Sequence, residues 1–337
     1  MKFDFCIGNP PYQETKGGTK NVDIWPLFIE CANNISEVSS MIHPGRWVNP
    51  KKQMMNTHNS LIKSGLVGFR YYPNSSRVFN GVNIDGGVTI TMFKKGYHDV
   101  INYYINDIPK GVFNSCQKFF SDEFEEEAYK RVFIQMNFCS IEHRVIGNVG
   151  SLAGSEFGYY KHTMIDRLQP FPENMDNPIH IWANASFGKG TRFEWHYIDK
   201  KYLKNAPDAL FSSRKIMLDK KGNAISHGRG NVINNIPQIV EPNATASGDV
   251  LFVFPEHDTD YELNLIKSYF MTKTVRFLMS ITQKDLYVRG FENVPDYVSF
   301  IPLLNGQLFT DKFLYEHFHF SENLINHIEE CVSPKKE

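Results

Sequence analysis

The sequence predicts an α/β chain: half of a doubly wound sheet, followed by a mixed α+β region. Three observations carry this. Strand-like and helix-like runs alternate from Phe3 to Phe93. Apolar residues make up 42% and charged residues 22% of the 337 positions, the balance of an ordinary globular protein. The patterning then changes character near residue 112. At roughly 150 residues per domain the length fits two domains, which divide as residues 1–111 and 112–337.

Phe3 to Gly8 reads as a short buried strand, and Asn9-Pro10-Pro11-Tyr12 as a rigid turn after it. Residues 13–22 are polar and Gly-rich, the composition of a mobile loop. Ile24, Leu27, Phe28, Cys31, Ala32 and Ile35 recur at helical spacing. Val38 to Ile42 predicts a second strand, closed by His43-Pro44-Gly45. Residues 50–64 predict a helix with Pro50 near its start. Leu66 to Tyr72 predicts a third strand and Gly87 to Phe93 a fourth. This order suits an α/β sheet with an antiparallel hairpin at its edge. In such sheets the reactive loops lie beyond the carboxyl ends of strands, which is where Asn9 falls.

Beyond residue 112, Asp122 to Glu127 is an acidic run that reads as a solvated helix face. Gly147 to Gly158 is loop-rich. Residues 180–255 alternate short β-like runs with turns. Asp260 to Met279 returns to helical spacing, and Phe309 to Glu330 predicts one or two terminal helices.

Lys plus Arg is 36 against 37 Asp plus Glu, a net charge of −1. That balance does not advertise a nucleic-acid binder, yet it leaves room for a local basic face. No secretory signal and no long apolar run is present, so a cytoplasmic protein is expected. The five cysteines are widely spaced without a CxxC pair, which argues for reduced thiols and against a structural zinc site. No metal is expected.

The segment with the clearest chemistry is Phe3-Asp4-Phe5-Cys6-Ile7-Gly8-Asn9-Pro10-Pro11-Tyr12-Gln13. It closely resembles the catalytic motif of DNA adenine-N6 methyltransferases. The chemistry explains the residue types. The exocyclic amine of adenine is a poor nucleophile because its lone pair is delocalised into the ring. An Asn side-chain oxygen and a backbone carbonyl can accept its hydrogens, and proline holds that carbonyl rigid. An aromatic gives a flipped-out base a face to stack on, worth about 1–3 kcal/mol. The resemblance therefore implies catalytic roles for Asn9, Pro10, Pro11 and Tyr12, with Asn9 also at the edge of the methyl-donor pocket.

The resemblance continues in His43-Pro44-Gly45-Arg46-Trp47, similar to the "P-x-R-W" segment of enzymes whose donor half precedes the catalytic half. It continues again in Ser75-Ser76-Arg77-Val78-Phe79. In the family that Phe packs on the second face of the adenine, so Phe79 is implied as the partner of Tyr12. Gly86-Gly87 reads as a hairpin turn. Further on, Tyr269 to Leu278, Asn293 to Pro295 and Phe309 to Tyr315 are similar to the target-recognition region of methylases fused to nucleases in restriction–modification systems.

A DNA-reading region needs positive charge. Between Asp199 and Arg229 stand eight basic residues, Lys200, Lys201, Lys204, Arg214, Lys215, Lys220, Lys221 and Arg229, against three acidic ones. They are the candidate phosphate contacts, with Lys273 and Arg276 as second choices. The family binds S-adenosyl-L-methionine through a Gly-rich loop that lies N-terminal to the catalytic turn in this subgroup. No convincing counterpart stands in the sequence, Gly147 to Gly154 lacking a preceding strand.

The resemblance thus implies the C-terminal half of a Rossmann-like S-adenosylmethionine-dependent methyltransferase sheet, followed by a mixed α+β target-recognition domain. Expected partners are double-stranded DNA and a second chain, or a preceding region, that carries the donor-binding motif. The expected function is methyl transfer to the N6 amine of a flipped adenine in a specific DNA sequence of a bacterial or phage restriction–modification system. The alternatives are an inactive DNA-binding specificity module, or a methyltransferase acting on protein or RNA.

Overall fold

Six strands form the principal sheet of the computed structural model. The structure describes residues 3–16, 20–50, 54–82, 84, 86–114, 119–120, 122–134, 138–147, 167–184, 193–203, 206–219, 233, 235–246, 250–282, 290–297 and 306–334. The chain divides into two units, Met1–Glu123 and Phe124–Glu337.

The first unit opens with β1 (Phe3–Gly8), a hairpin of β2 (Gln13–Lys16) and β3 (Lys20–Asp23), then α1 (Trp25–Ile35) and β4 (Ser36–Pro44). It continues with α2 (Met55–Lys63), β5 (Leu66–Tyr72), β6 (Val88–Lys94), β7 (Asn102–Ile105) and β8 (Ile108–Val112). The sheet order is β1-β4-β6-β5-β7-β8. β1 and β4 are parallel, β6 is antiparallel to β4 and β5, β7 is parallel to β5, and β8 is antiparallel to β7.

Local chemistry accounts for the joints. Pro26 starts α1, where a missing N–H costs nothing. Its end is closed by Ser36, whose hydroxyl donates to the Ala32 carbonyl at 2.7 Å. Gly65 ends α2 at φ +85°, and a Cβ there would lie 2.4 Å from the Lys94 carbonyl oxygen, so no other residue fits. The β7–β8 turn is Asn106-Asp107, both at positive φ as a two-residue hairpin demands.

Three expectations change. Where residues 13–22 were expected to form a loop, Gln13–Lys16 and Lys20–Asp23 are paired strands, from Gln13↔Asp23 to Lys16↔Lys20. The antiparallel strand β6 lies inside the sheet, between β4 and β5, and the edge hairpin is β7–β8. The expected division after residue 111 falls within β8. The first unit runs to Glu123 because Phe113 and Phe119 return to its core, where they pack against Phe69 at 5.3 and 5.9 Å between ring centroids.

Both helices cover one face of this sheet. Trp25, Ile29 and Ala32 of α1 and Leu61 of α2 join Met41, Phe69 and Phe93 in a single core cluster. The other face is different, and β1 is not the buried strand expected. It is an edge strand whose Phe5 and Ile7 are 70% and 83% exposed, and Met92 of β6 is 45% exposed. Register puts them together: Phe5 pairs Val38, Ile7 pairs Ser40, Ser40 pairs Met92 and Ile42 pairs Ile90, so their side chains share a side. Among the described residues β1 has no neighbour on its outer edge.

The second unit contains α3 (Glu123–Ile134), β9 (Val145–Gly147), β10 (Pro178–Asn184), β11 (Phe193–Asp199), α4 (Ala209–Ser212), β12 (Lys215–Asp219), β13 (Gln238–Val240), β14 (Ala244–Ala246) and β15 (Val250–Val253). Among the described residues the helices that follow are α5 (Asp260–Met271), α6 (Lys273–Thr282), α7 (Asp311–His317) and α8 (Glu322–Cys331). Its sheets have the orders β11-β10-β14 and β13-β12-β15-β9. The acidic run in α3 is not a uniformly solvated face: Glu125 is buried, and Glu126 and Glu127 pair with Lys130 and Arg131 at 2.8 and 2.7 Å. A buried Arg144 ties together Asp296, Glu262 and Glu256 at 2.7 to 2.9 Å. No helix of the described residues is long and apolar enough to cross a membrane.

Candidate active site

The strand directions gather the sequence motifs at one edge of the first sheet. β1, β4 and β5 run parallel. The loops leaving their carboxyl ends carry Asn9–Tyr12, Gly45–Trp47 and Pro73–Phe79 respectively. Gly86-Gly87, just before antiparallel β6, falls at the same edge. A cavity of about 560 Å³ lies elsewhere. It is lined by Ser36 and Gly65, at the amino ends of β4 and β5, and by polar residues of α1 and α2.

Gly8 leaves room for the Met41 side chain, since a Cβ there would lie 3.0 Å from Met41 Sδ. The turn that follows exposes Asn9 and Pro11 and half-buries Pro10 and Tyr12. Tyr12 packs against the core cluster, and its hydroxyl has no hydrogen-bond partner among the described residues. Burial raises its pKa, keeping the phenol neutral. The Tyr12 carbonyl accepts from Ile24 N–H at 3.1 Å, so the hairpin returns the chain to the foot of the turn. There Asp23 Oδ1 accepts from Gln13 Nε2 at 3.0 Å and from Arg46 Nη2 at 2.9 Å.

Behind the turn lies a buried aromatic layer. Trp25 stacks on His43 at 4.4 Å, with ring planes 9° apart. His43 Nδ1 lies 3.3 Å from the Pro44 carbonyl and 3.2 Å from Thr89 Oγ1. Nε2 is hydrogen-bonded to the Thr91 hydroxyl at 3.0 Å. Full burial pushes the imidazole pKa down to about 3. Trp47 Nε1 donates to Thr89 Oγ1 at 2.9 Å, and His58 Nδ1 to the Trp47 carbonyl at 2.8 Å.

Phe79 is half-buried on a loop held by one side chain. The buried Ser75 hydroxyl donates to the Val82 carbonyl at 2.7 Å and accepts from Ile84 N–H at 2.9 Å. Phe79 N–H also donates to the Ser75 carbonyl at 2.9 Å. Ser75 stands within the Phe79 segment, where sequence alone assigns it no role. Its only sequence signal was a small hydroxyl residue at the start of a turn-rich stretch. Gly86-Gly87 is more than a turn. Gly45 N–H donates to the Gly87 carbonyl at 2.9 Å, and a Cβ on Gly86 would strike Arg46.

The basic stretch is placed less favourably for phosphate. Lys200 pairs with Asp208 at 3.3 Å and Lys201 with Asp199 at 3.2 Å. Arg214 is held by Asp258 at 2.6 Å and by Asp260. Lys215 is fully buried, its ammonium 3.5 Å from the Ser213 and Glu241 carbonyls and over the Phe252 ring. Burial lowers its pKa to about 8. A side chain so enclosed presents no face to a phosphate. Lys204, Lys220, Lys221 and Arg229 lie outside the described residues, as does most of Gly147 to Gly158, although the strand expected to be missing before Gly147 is present as β9. Of the second choices, Lys273 pairs with Glu329, and buried Arg276 caps helix carbonyls at Thr272 and Met271. Among the described residues no His, Cys, Asp and Glu group could hold a metal.

Residues 1–79 match the Eco57I restriction-modification methylase family. No curated protein matches the chain. Among solved structures it is similar to the type IIL restriction-modification enzyme MmeI in complex with DNA, at 10% identity and a TM-score of 0.41, over 98% of this chain and 55% of that one. It is also similar to the type IIG restriction endonuclease BpuSI, at 11% identity and 0.35, over 93% and 48%. A nuclease-deletion mutant of the type ISP enzyme LlaGI with a DNA substrate mimic gives 12% and 0.38, over 97% and 35%. The chain spans about half, or less, of the length of these proteins.

Proposed function

We propose, with the Eco57I restriction-modification methylase match of residues 1–79 as premise, that the chain carries the acceptor side of a DNA adenine-N6 methyltransferase. The observation that carries the reading is the Asn-Pro-Pro-Tyr turn, exposed at the carboxyl end of β1 and flanked by the loops of Arg46 and Phe79. Asn9 Oδ1 and the Pro10 carbonyl accept the hydrogens of the adenine amine as it attacks. Pro10 and Pro11 keep those acceptors from relaxing away. Tyr12 and Phe79 offer stacking faces that offset part of the cost of unstacking the base. β1 and β5 are separated in the sheet by β4 and β6, about 14 Å at normal strand spacing. That gap leaves room for a flat base between their loops.

The donor in this reading is S-adenosyl-L-methionine, which supplies an electrophilic methyl group on a sulfonium. Asn9, at the open side of β1, is the described residue best placed to meet it. The β1-β4-β6-β5 order, with one antiparallel strand inserted, supports half of a Rossmann-like sheet whose other half binds the donor. A parallel sheet is normally covered on both faces. The bare apolar face of Phe5, Ile7 and Met92 and the free edge of β1 are where a donor-binding polypeptide would add strands and a helical layer. The second unit is the proposed target-recognition domain for double-stranded DNA, with Lys200, Lys201 and Arg214 able to reach phosphate only by exchanging their acidic partners.

The test is transfer of labelled methyl from S-adenosyl-L-methionine to unmethylated DNA, with the chain alone and with a donor-binding polypeptide of the same family. N6-methyladenine in the hydrolysed DNA, abolished by Asn9→Ala, is expected. Sequence-specific DNA binding without methylation in either mixture would favour an inactive specificity module. Label recovered in protein or RNA instead of DNA would move the substrate assignment.

A further inference from the structure

We infer that Arg46 is a positioning residue that couples the two sides of the base-binding site, an inference resting on the acceptor role proposed above. A continuous path of contacts runs through it. Tyr12 is followed directly by Gln13, which donates to Asp23 Oδ1 at 3.0 Å. The same oxygen accepts from Arg46 Nη2 at 2.9 Å. One carboxylate thus closes the base of the β2–β3 hairpin and ties it to the turn after β4. On its other side the Arg46 stem lies against Gly86: a Cβ there would come within 2.5 Å of Arg46 Cγ and 3.3 Å of its Cα. Gly86 stands at φ +79° and Gly87 at φ +71°, and Gly87 receives the Gly45 N–H. The segment they close begins at Ser75 and carries Phe79.

The environment of the pair suits a brace better than a solvent-facing ion pair. The side chains of Arg46 and Asp23 are only 32% and 22% exposed, and Arg46 Nε is buried without a hydrogen-bond partner among the described residues. Surface pairs contribute little because water competes for them. A half-buried pair joined to a second donor, Gln13, holds geometry more firmly. Lysine could keep the charge, but it lacks the planar guanidinium whose Nη2 meets Asp23 Oδ1 while the stem packs at Gly86. Catalysis by a turn such as Asn9–Tyr12 depends on placement, and a misplacement of about 1 Å can cost roughly 100-fold in rate. Arg46 fixes the Tyr12 side relative to the Phe79 side without touching the base.

The experiment compares the full chain with Arg46→Gln, Arg46→Lys and Asp23→Asn, first by peptide-resolved hydrogen exchange. Arg46→Gln is expected to speed exchange in both 12–24 and 75–87, leaving 66–72 and 88–94 unchanged. Asp23→Asn should loosen 12–24 alone, and Arg46→Lys should recover part of the protection. In the assembled methyltransferase, Arg46→Gln should lower kcat roughly 10- to 100-fold with little change in KM for DNA, partly rescued in Arg46→Lys. Exchange that changes on one side only in Arg46→Gln would overturn the coupling. Exchange on both sides with unchanged kcat would overturn the positioning role. If the wild-type assembly transfers no methyl group, the reaction assignment fails in its own control, and the exchange pattern still judges the brace.

Discussion

The buried imidazole of His43 makes the first unit sensitive to acid in a way that can be calculated. His43 is fully buried against Trp25, and its folded pKa is about 3 against 6.5 for an exposed histidine. The unfolded state therefore binds more protons wherever the pH lies between those values. Stability is full above 6.5 and is lost as the pH falls toward 3. At pH 5 the unfolded chain holds this proton almost completely and the folded chain hardly at all, a linkage of about 2 kcal/mol. His43→Asn removes that proton. It also removes the stacking on Trp25, so the variant starts less stable at pH 7.5, by about 1–2 kcal/mol. Its stability should then fall less steeply with acid, the two curves converging near pH 5. Urea unfolding followed by hydrogen exchange of the β4 and β6 amides at pH 7.5, 6 and 5 reads this unit apart from the other. A variant curve parallel to that of the wild type would refute the reasoning, because the acid sensitivity would then belong to another group.

Lys215 gives the opposite kind of test. Its folded pKa of about 8 against 10.5 means that stability rises between those pH values as the buried charge is lost, and that at pH 7 the ammonium costs about 3 kcal/mol. Lys215→Met, scored by thermal melting at pH 7, should stabilise the second unit by about 1–3 kcal/mol after the loss of two carbonyl contacts. Gly65→Ala should destabilise the first unit by about 1–3 kcal/mol in urea unfolding, since both its φ of +85° and the Lys94 carbonyl oppose a Cβ. Phe79→Ala should reduce the fluorescence rise of a duplex carrying 2-aminopurine at the target more than it weakens DNA binding measured by anisotropy. Phe5→Asp with Ile7→Asp should leave the helix-covered face intact by hydrogen exchange while abolishing association with a donor-binding polypeptide in a pull-down.

Much of the first unit was legible because its signals are local. β1, α1, β5 and β6 follow apolar periodicity, and the turn at Asn9 follows from two prolines. The hairpin at 13–23 was not, because a polar Gly-rich segment makes strands only when its ends are tied, here by Asp23 to Gln13 and Arg46. The interior place of β6 was hidden for another reason. Strand order depends on which faces are covered, and periodicity says only that a strand exists. Asn106-Asp107 was a readable hairpin signal that the change of patterning near residue 112 obscured. The basic stretch misled because charge counted along the chain ignores partners. Asp258 and Asp260, which hold Arg214, lie more than forty residues away, and nothing in the sequence of β12 marks Lys215 as buried.

The division between the two faces of the first sheet bears on how the turn can work. Among the described residues no hydrogen bond fixes the Asn9 amide, yet the proposed acceptor role asks for sub-ångström placement. The rigidity must therefore come from behind. It comes from Gly8 pressed on Met41, from two prolines, and from the hairpin closed at Asp23. It comes also from the layer of Trp25, His43 and Trp47 pinned by Thr89 and Thr91. Every one of these groups lies on the helix-covered side or at the carboxyl edge of the strands. None belongs to the bare face of Phe5, Ile7 and Met92. That face can thus exchange solvent for a second polypeptide without disturbing the machinery that holds the turn. A substitution there should act on assembly and on the amount of active complex, whereas one in the Trp25–His43 layer should act on kcat in complexes already formed.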